Sequence, residues 1–303
     1  MGQLEDMQAF VRVVEAGSIS HAADQLGVAK SAVSRRLSEL EARLGTTLLK
    51  RTTRRSSLTD AGQRYYERSL RVIDDVAELN AITTGNDDAL AGTLRLAAPL
   101  SFGLSHLTPA IDIFARKHQD LTVRINFSDR QIDLVQEGVD LAFRIADLKD
   151  SNLKARRITP IRMMLCASPD YLKRQGSPQT HEDLKKHRLL SYDSSGTVLP
   201  WRVMDRKGRE HSIHPQAKII ANNGDFLRDM GIAGHGIFIS PTFISWEALA
   251  KGDLVQVLPD YSIPAINAYA VYSQTRYLPQ RARLLIDFLV SRFGENPYWD
   301  QYI

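Results

Sequence analysis

Apolar positions at the start of the chain repeat with the period of an α-helix and are interrupted by glycines. The stretch LEDMQAFVRVVEAGS predicts a helix that ends at Gly17, because glycine adopts the left-handed conformation of a helix end at little cost. Ser18 or Ser20 is placed to cap a second, short helix, SHAADQL, which stops at Gly27. A further helix follows within a few residues, and two short helices joined by a tight turn predict a helix-turn-helix.

The third segment, AKSAVSRRLSELEARLG over residues 29–45, predicts a helix with two unlike faces. Apolar side chains at helical spacing form one stripe: Val33, Leu37, Leu40 and Leu44. The opposite face carries small hydroxyls and one long cation: Ser31, Ser34, Arg35 and Ser38. In a helix-turn-helix the second helix lies in the DNA major groove, so the serines allow close approach and Arg35 can bind a guanine. The alternative is an ordinary three-helix bundle with a serine-rich polar face.

A basic stretch follows this helix. LLKRTTRRSSLT places four cations around β-branched threonines, namely Lys50, Arg51, Arg54 and Arg55, which predicts a β-hairpin wing that reaches phosphates or a minor groove. A solvated basic loop is the alternative. Residues 1–72 hold 12 Lys and Arg against 8 Asp and Glu, whereas the remainder holds 27 of each. This asymmetry indicates a nucleic-acid-binding head on a neutral body.

A long amphipathic helix is predicted next. Thr59 is placed as its N-cap, Asp60 lies in its first turn, and the chain favours helix to about Thr84. Its apolar face is wide and must be covered, either by its own domain or by the same helix of a second subunit. We favour dimerisation, because a helix-turn-helix protein usually grips two half-sites. Residues 83–92, TTGNDDALAG, are polar and predict a linker.

The rest of the chain alternates predicted strands with helices. A loop, PLSFG, follows the first strand and a helix then extends to about Gln119; QIDLVQEG predicts a short helix, and 279–293 predicts a strongly amphipathic one that starts with proline. This alternation predicts a parallel sheet with helices on both faces. The predicted strands are 93–98, 122–127, 139–145, 163–168, 217–222, 236–241 and 268–273.

Ligands of open α/β sheets bind outside the carboxyl ends of the strands. The loops there predict an anion site made of the Ser101 hydroxyl, the first N–H groups of the following helix and Arg144, with Phe102 and Phe238 as its apolar side. A small organic acid, aromatic or not, fits these groups. NNGD at 222–225 is a second candidate helix start. In the alternatives, Ser101 is only a helix cap, Arg144 forms an internal ion pair, and the ligand is neutral.

Other functions find less support in the sequence. The single cysteine, Cys166, excludes an intrachain disulfide and a cysteine-rich zinc site, and it lies in an apolar strand, where regulation through its oxidation is the weaker alternative. We find no GxSxG, HExxH, P-loop or GxGxxG motif, so no catalytic residue, metal or cofactor is predicted and an enzyme is disfavoured. No apolar run reaches membrane-spanning length and no signal peptide is evident, so we expect a cytoplasmic protein without a membrane partner.

Together these residues resemble the LysR-type transcriptional regulators over the whole chain. The N-terminal run from FVRVVEAGS to SSLTDAG follows the family pattern in order and spacing, while DLAFRI, ASPDYL and NNGDFLRDMGIAGHGIFISP look like its CrgA-like branch. The resemblance implies an α+β multidomain protein: a winged helix-turn-helix over 1–58, a linker and dimerisation helix with a hinge over 59–92, and an effector-binding domain over 93–303. That domain would resemble type 2 periplasmic binding proteins, with lobe I from 93–166 and 267–303 and lobe II from 167–266.

The resemblance also assigns roles to residues. Ser31 departs from the family, since many members have proline there. The implied partners are double-stranded promoter DNA, a small-molecule effector, further copies of the chain as a dimer or tetramer, and RNA polymerase if the protein is an activator. The implied DNA contacts are Lys30, Ser31, Ser34, Arg35, Arg51 and Arg54. The implied effector contacts are Ser101, Phe102, Ser128, Arg144 and Asn222.

Overall fold

The computed structural model divides the chain into two compact units. The first comprises Met1–Thr93 with His118–Thr122, and the second Leu94–Lys117 with Val123–Ile303. The structure describes residues 2–51, 56–83, 90–130, 133–146, 153–193, 196, 198, 200–274 and 278–301.

The first unit consists mainly of helices and one hairpin. Its helices are α1 Gln3–Ala16, α2 Ile19–Leu26, α3 Lys30–Leu44 and α4 Asp60–Thr83, and its strands are β1 Leu49–Arg51 and β2 Ser56–Leu58. The strands pair antiparallel, with Leu49 opposite Leu58. This order, three helices followed by a hairpin, is a winged helix-turn-helix, so the predicted fold of this part is confirmed.

The ends of these helices follow the local chemistry of the sequence. Gly17 ends α1 in the left-handed conformation, with φ of 69°. Ser18 caps α2, because its hydroxyl accepts a hydrogen bond from the His21 amide at 3.2 Å. Thr59 caps α4 in the same way, accepting from the Gly62 amide at 2.9 Å.

One core holds the first unit together. Its centre consists of buried apolar residues from all three short helices and the hairpin base, including Phe10, Val33, Leu37, Leu40 and Leu48. The start of α4 packs on this core, and the Tyr65 ring meets the Phe10 ring edge to face at 5.5 Å between centroids. Leu44, which we placed on the buried stripe of α3, is instead exposed at the end of that helix.

The second unit contains two five-stranded mixed sheets. The strand order of the first sheet is β4-β3-β5-β14-β6 and that of the second is β11-β8-β12-β7-β13. The first sheet consists of β3 Gly92–Ala98, β4 Leu121–Phe127, β5 Leu141–Ala146, β6 Leu153–Ile161 and β14 Ile266–Ser273. The second consists of β7 Met163–Ala167, β8 Leu189–Tyr192, β11 Ile219–Ala221, β12 Ile237–Pro241 and β13 Val255–Gln256, with a separate hairpin of β9 Trp201–Met204 and β10 Glu210–Ile213.

Helices lie between these strands. They are α5 Leu100–Phe102, a π-helical turn at Gly103–Leu107, α6 Thr108–Lys117, α7 Pro169–Gln175, a 3-10 helix at His181–Lys186, α8 Gly224–Ile232, α9 Thr242–Lys251, α10 Gln280–Phe293 and a 3-10 helix at Tyr298–Asp300. Among the described residues, no helix is both long enough and apolar enough to span a bilayer.

Several sequence-based expectations need correction here. The sheets are mixed rather than parallel, because β14 runs antiparallel to β5 and β6, and β7 runs antiparallel to β12 and β13. PLSFG does not form a loop: helix starts at Leu100 and continues through the π-helical turn. The described part of QIDLVQEG is a turn, in which the Asp133 carboxylate accepts from the amides of Val135 and Gln136.

The chain passes between the two sheets twice. The first passage is Arg162, between the end of β6 at Ile161 and the start of β7 at Met163. The second runs from the end of β13 at Gln256 to the start of β14 at Ile266. Residues 163–166 therefore belong to the second sheet, four residues earlier than the lobe boundary inferred from the resemblance.

Candidate functional site

The exposed face of α3 presents the side chains predicted to read DNA. Lys30, Ser31 and Arg35 are exposed and Ser34 is half-buried, while Val33, Leu37 and Leu40 fix the opposite face in the core. The Arg35 Nε atom lies 3.7 Å from Glu39 Oε1, and the arginine side chain is 65% exposed. An exposed pair of this kind is weak, so the guanidinium remains available for another partner.

The hairpin that follows α3 in the sequence carries Lys50 and Arg51 on its first strand. Lys50 lies opposite Ser57 in the antiparallel pair and is exposed. The Arg51 side chain and the whole of Arg54 and Arg55 lie outside the described residues, so their predicted contacts with DNA remain predictions.

A carboxylate that the sequence analysis overlooked fixes the hairpin to α3. Glu41 Oε1 accepts hydrogen bonds from the backbone amides of Leu48 at 2.7 Å and Leu49 at 3.1 Å. Charged acceptors make stronger hydrogen bonds than neutral ones, so this contact orients the wing relative to the recognition helix. In sequence Glu41 resembles any acid on a helix surface, and no local pattern distinguishes it.

The start of α4 supports the same point of the hairpin. The Thr59 hydroxyl donates to the Thr47 carbonyl at 2.7 Å, and the Thr59 amide donates to the Leu48 carbonyl at 3.0 Å. A Cβ atom at Gly62 would lie 2.0 Å from the Leu48 carbonyl oxygen, so only glycine permits this approach. The wing base is therefore held from two sides, by α3 and by α4.

In the second unit, a hydrogen bond joins the helices of the two sheets where ligand contacts were predicted. The Ser101 hydroxyl at the start of α5 donates to Asp225 Oδ2 of α8 at 2.5 Å. Asp225 Oδ1 accepts from Arg228 at 2.8 Å, and Arg228 also donates to the Ile244 carbonyl at 3.3 Å. Neither Asp225 nor Arg228 was singled out from the sequence, although the acid lies in the NNGD stretch that drew attention as a helix start.

A second internal carboxylate occupies the start of α5. The Leu100 amide donates to Asp129 Oδ1 at 3.2 Å. One of the N–H groups predicted to bind a ligand anion is therefore already bonded to a carboxylate of the protein. Ser128 participates in the same turn: its amide donates to the Ala98 carbonyl, and its hydroxyl accepts from the Arg130 amide at 3.3 Å. Tyr192, at the end of β8, has its pKa raised by burial and by the Asp129 carboxylate.

The two phenylalanines predicted as the apolar side of the site are core residues. Phe102 is 1% exposed, and its ring packs against Phe243 at 5.2 Å and Trp299 at 5.8 Å between centroids. Phe238 is also 1% exposed, within the core beside the second sheet. Because neither ring has free surface in this conformation, the expectation that they contact a ligand is not supported here.

The remaining predicted contacts are placed at strand ends or in strands. Arg144 is half-buried on β5, opposite Tyr269 of β14, and has a contact within the chain; neither its predicted role in ligand binding nor the alternative of an internal ion pair is decided by this placement. Asn222 is exposed after β11. Its neighbour Asn223 caps α8, since its side-chain oxygen accepts from the Phe226 amide at 2.9 Å.

A buried histidine in the π-helical turn after α5 connects that turn to α9 and to the last 3-10 helix. His106 is 1% exposed; its Nε2 atom lies 3.0 Å from the Phe243 carbonyl oxygen and its Nδ1 atom 2.6 Å from the Tyr298 hydroxyl. These partners fit a neutral ring that donates from Nε2 and accepts at Nδ1. Burial lowers the pKa of His106 to about 4, so the ring is neutral near pH 7.

The cysteine is poorly placed for redox chemistry. Cys166 lies on β7, is fully buried, and has its pKa raised by burial to about 12. Because the thiolate is the reactive form, this environment disfavours oxidation. Among the described residues, no group of three or more His, Cys, Asp or Glu side chains is arranged to hold a metal ion.

A winged helix-turn-helix joined to a two-sheet α/β unit defines a DNA-binding regulator with a ligand-binding domain. Two family models match the chain: "Bacterial regulatory helix-turn-helix protein, lysR family" over residues 4–63 and "LysR substrate binding domain" over 87–294. The chain therefore belongs to the LysR family of transcriptional regulators, which confirms the resemblance.

Individual relatives agree with this assignment. The HTH-type transcriptional regulator CrgA of Neisseria meningitidis serogroup C is 34% identical over 293 residues, which cover 96% of this chain and 97% of CrgA. An uncharacterized HTH-type transcriptional regulator of Haemophilus influenzae is 36% identical over 279 residues, covering 92% and 96% of the two chains.

Solved structures extend the similarity to three dimensions. The CrgA structure matches with a TM-score of 0.62 at 34% identity, covering 96% of this chain and 99% of that one. Full-length AphB, a Vibrio cholerae virulence activator, matches with a TM-score of 0.60 at 29% identity, covering 96% and 99%.

Proposed function

We propose that this regulator reads DNA through Lys30, Ser31, Ser34 and Arg35 of α3, and grips the flanking backbone through the wing with Arg51 and Arg54. The observation that carries this proposal is the unlike pair of faces on α3: one anchored in the core, the other rich in hydroxyls with an exposed guanidinium. The proposed DNA-binding domain spans 1–58, the linker and dimerisation helix 59–92, and the effector-binding domain 93–303.

Two arginines on α3 form a matched test of this DNA contact. Arg35→Ala is expected to cost about 1–3 kcal/mol in binding to a selected operator and to relax the preference at one position of each half-site. Arg36→Ala removes the same charge, but Arg36 is only 33% exposed and pairs with Glu5 of α1 at 3.6 Å. Fluorescence anisotropy titrations should separate the two variants; equal losses would contradict a base contact by Arg35.

We also propose that a second copy of the chain pairs along α4, giving a dimer and, through the second units, a tetramer. Val72 and Leu79 of α4 are 42% and 63% exposed and lie seven residues apart, so they leave apolar surface on one face of the helix that a second copy could cover. Two-fold pairing would present two recognition helices to two half-sites. Where the protein activates transcription, RNA polymerase is a further proposed partner.

The proposed effector is a small organic acid bound between α5 and α8. The donors Ser101 and Arg228 meet there, and an internal carboxylate, Asp225, bridges them. A ligand carboxylate would take the place of Asp225 on the Ser101 hydroxyl, so the two anions compete. Ser128 and Asn222 are proposed to contact the remainder of the ligand. In this proposal the half-buried Arg144 keeps its contact within the chain and does not bind the ligand.

Competition gives the effector proposal a sharp test. A thermal-shift screen of organic acids should find a ligand that stabilises the second unit, with about 2.7 kcal/mol expected at 100 times its Kd. Calorimetry should then show tighter binding to Asp225→Ala, which lacks the internal anion, and weaker binding to Ser101→Ala. Weaker binding to Asp225→Ala would mean that Asp225 itself binds the ligand, and the ligand would then be a hydrogen-bond donor or a cation instead of an acid.

A further inference from the structure

A cavity of about 380 Å³ lies in the second unit, where the chain passes between the two sheets. Its lining includes Arg162 of the first passage, Met163 at the start of β7, residues 259–263 of the second passage, and Thr242 at the start of α9. It shares no lining residue with the Ser101 and Asp225 site. Cavities of this size hold small molecules in other proteins.

Thr242 is the unusual member of this lining. The residue is 1% exposed, and among the described residues its hydroxyl has no hydrogen-bond partner. A buried hydroxyl without a partner is costly, and a bound molecule that accepts its hydrogen bond would remove that cost. The same residue begins α9, which has no side-chain cap. The Thr242 amide donates to the Arg162 carbonyl at 2.9 Å, and the positive end of the helix dipole favours an anion beside the amides that follow.

The polar groups around the cavity differ in what they still offer. Asp205 has no free capacity, because it accepts from the amides of Lys207 and Arg209, from the Arg209 side chain and from His211. Asp260 is paired with Arg206, and Arg162 is paired with Asp300. A guanidinium has five N–H donors, so both arginines retain donors after these pairings. The lining therefore offers the two arginines and the Thr242 hydroxyl as donors, while Asp260 keeps acceptor capacity beyond its pair with Arg206.

The rest of the lining is apolar and adaptable. It comprises the methionines Met163, Met164 and Met204 together with Pro259, Ile263 and Ala265. Methionine side chains fit irregular apolar shapes, so this part suits a short hydrocarbon body more than a rigid polar one.

We propose that this cavity is a second ligand site, which binds a small carboxylate with a short apolar body. The carboxylate accepts from the Thr242 hydroxyl, the first turn of α9 and an arginine, and the body lies on the methionines. Because the ligand contacts both passages between the sheets, its binding biases the arrangement of the two lobes independently of the Ser101 and Asp225 site.

The test uses the full-length protein with hexanoate as the probe and hexanamide as its uncharged counterpart, measured by calorimetry. Hexanoate is expected to bind and hexanamide to bind at least several-fold more weakly. Thr242→Val should weaken hexanoate binding about tenfold, as for a lost hydrogen bond to a charged group, while Ser101→Ala leaves it unchanged. No detectable hexanoate binding, or a loss caused by Ser101→Ala instead of Thr242→Val, overturns the proposal.

The Tm without ligand distinguishes an unpaired Thr242 hydroxyl from one that stabilises the fold. Thr242→Val replaces an unpaired buried hydroxyl by a methyl group and is expected to raise Tm. Thr159 is a matched control, since it is equally buried but its hydroxyl donates to the Gly294 carbonyl at 2.8 Å. Thr159→Val should therefore lower Tm. A lower Tm for Thr242→Val would show that its hydroxyl is paired within the protein, and the proposal would fall.

Discussion

The buried His106 makes the stability of the second unit depend on pH. The folded state keeps this ring neutral, with its pKa lowered from 6.5 to about 4 mainly by burial. The unfolded chain binds a proton near pH 6.5, so the unfolded state gains protons before the folded state does as pH falls. The contribution of neutral His106 to the free energy of unfolding is therefore complete above the pKa of the unfolded chain. It is lost progressively as the pH falls from about 7 to about 4.

The size of this effect follows from the two pKa values. A difference between 6.5 and about 4 corresponds to about 3 kcal/mol, at about 1.4 kcal/mol for each pH unit. All three tryptophans of the chain, Trp201, Trp246 and Trp299, lie in the second unit. Urea unfolding followed by tryptophan fluorescence therefore reports on the unit that contains His106.

The informative comparison is with His106→Gln, which can still donate to the Phe243 carbonyl but does not titrate. The variant should be less stable than wild type at pH 7.5, and the difference should shrink by about 2.5 kcal/mol by pH 4.5 as wild type loses stability. Background titration of carboxyl groups affects both proteins and cancels in the difference. Parallel stability curves over this range would refute the assignment of a buried neutral His106.

Three further changes test other parts of the structure. Glu41→Ala leaves two amides at the wing base without their acceptor. It should lower the free energy of unfolding, followed by circular dichroism, by about 2–3 kcal/mol and should weaken operator binding. Unchanged stability and unchanged binding would exclude a role for Glu41 in holding the wing. Leu79→Glu places a charge on the exposed face of α4 and should give smaller assemblies by light scattering, whereas the equally polar change Val135→Glu in a surface turn should not. Peroxide should leave wild-type operator binding intact, because Cys166 is buried; a loss that Cys166→Ser prevents would instead support redox control.

The sequence predicted the N-terminal unit closely because its signals are local. Glycine at helix ends, Ser18 and Thr59 as caps, and the 3.6-residue period of α3 each depend on neighbours in the chain. Strand direction in the second unit was wrong because β14 arrives from the far end of the chain, and alternation of strands and helices carries no information about that return.

The missed strand β6 and the missed site residues have different physical causes. β6 has the sequence LKARRITPI. Residues 154–157 are exposed, three of these four are cations, and a proline follows, so the sequence lacks the apolar run of a buried strand. At the candidate ligand site, Ser101 and Asp225 are 124 residues apart, and only the tertiary fold brings them together. Long-range pairs of this kind leave no spacing that a single sequence reveals.

The most direct test of the account is selection of bound sequences from random double-stranded DNA by the full-length protein. We predict enrichment of two similar half-sites in inverted orientation, about one helical turn or a multiple of it apart, as two α3 helices related by a two-fold axis require. Selection with Arg35→Ala should lose the preference at one position in each half-site. No enriched sequence from the wild-type protein, or the same enriched sequence from both proteins, would contradict recognition by α3.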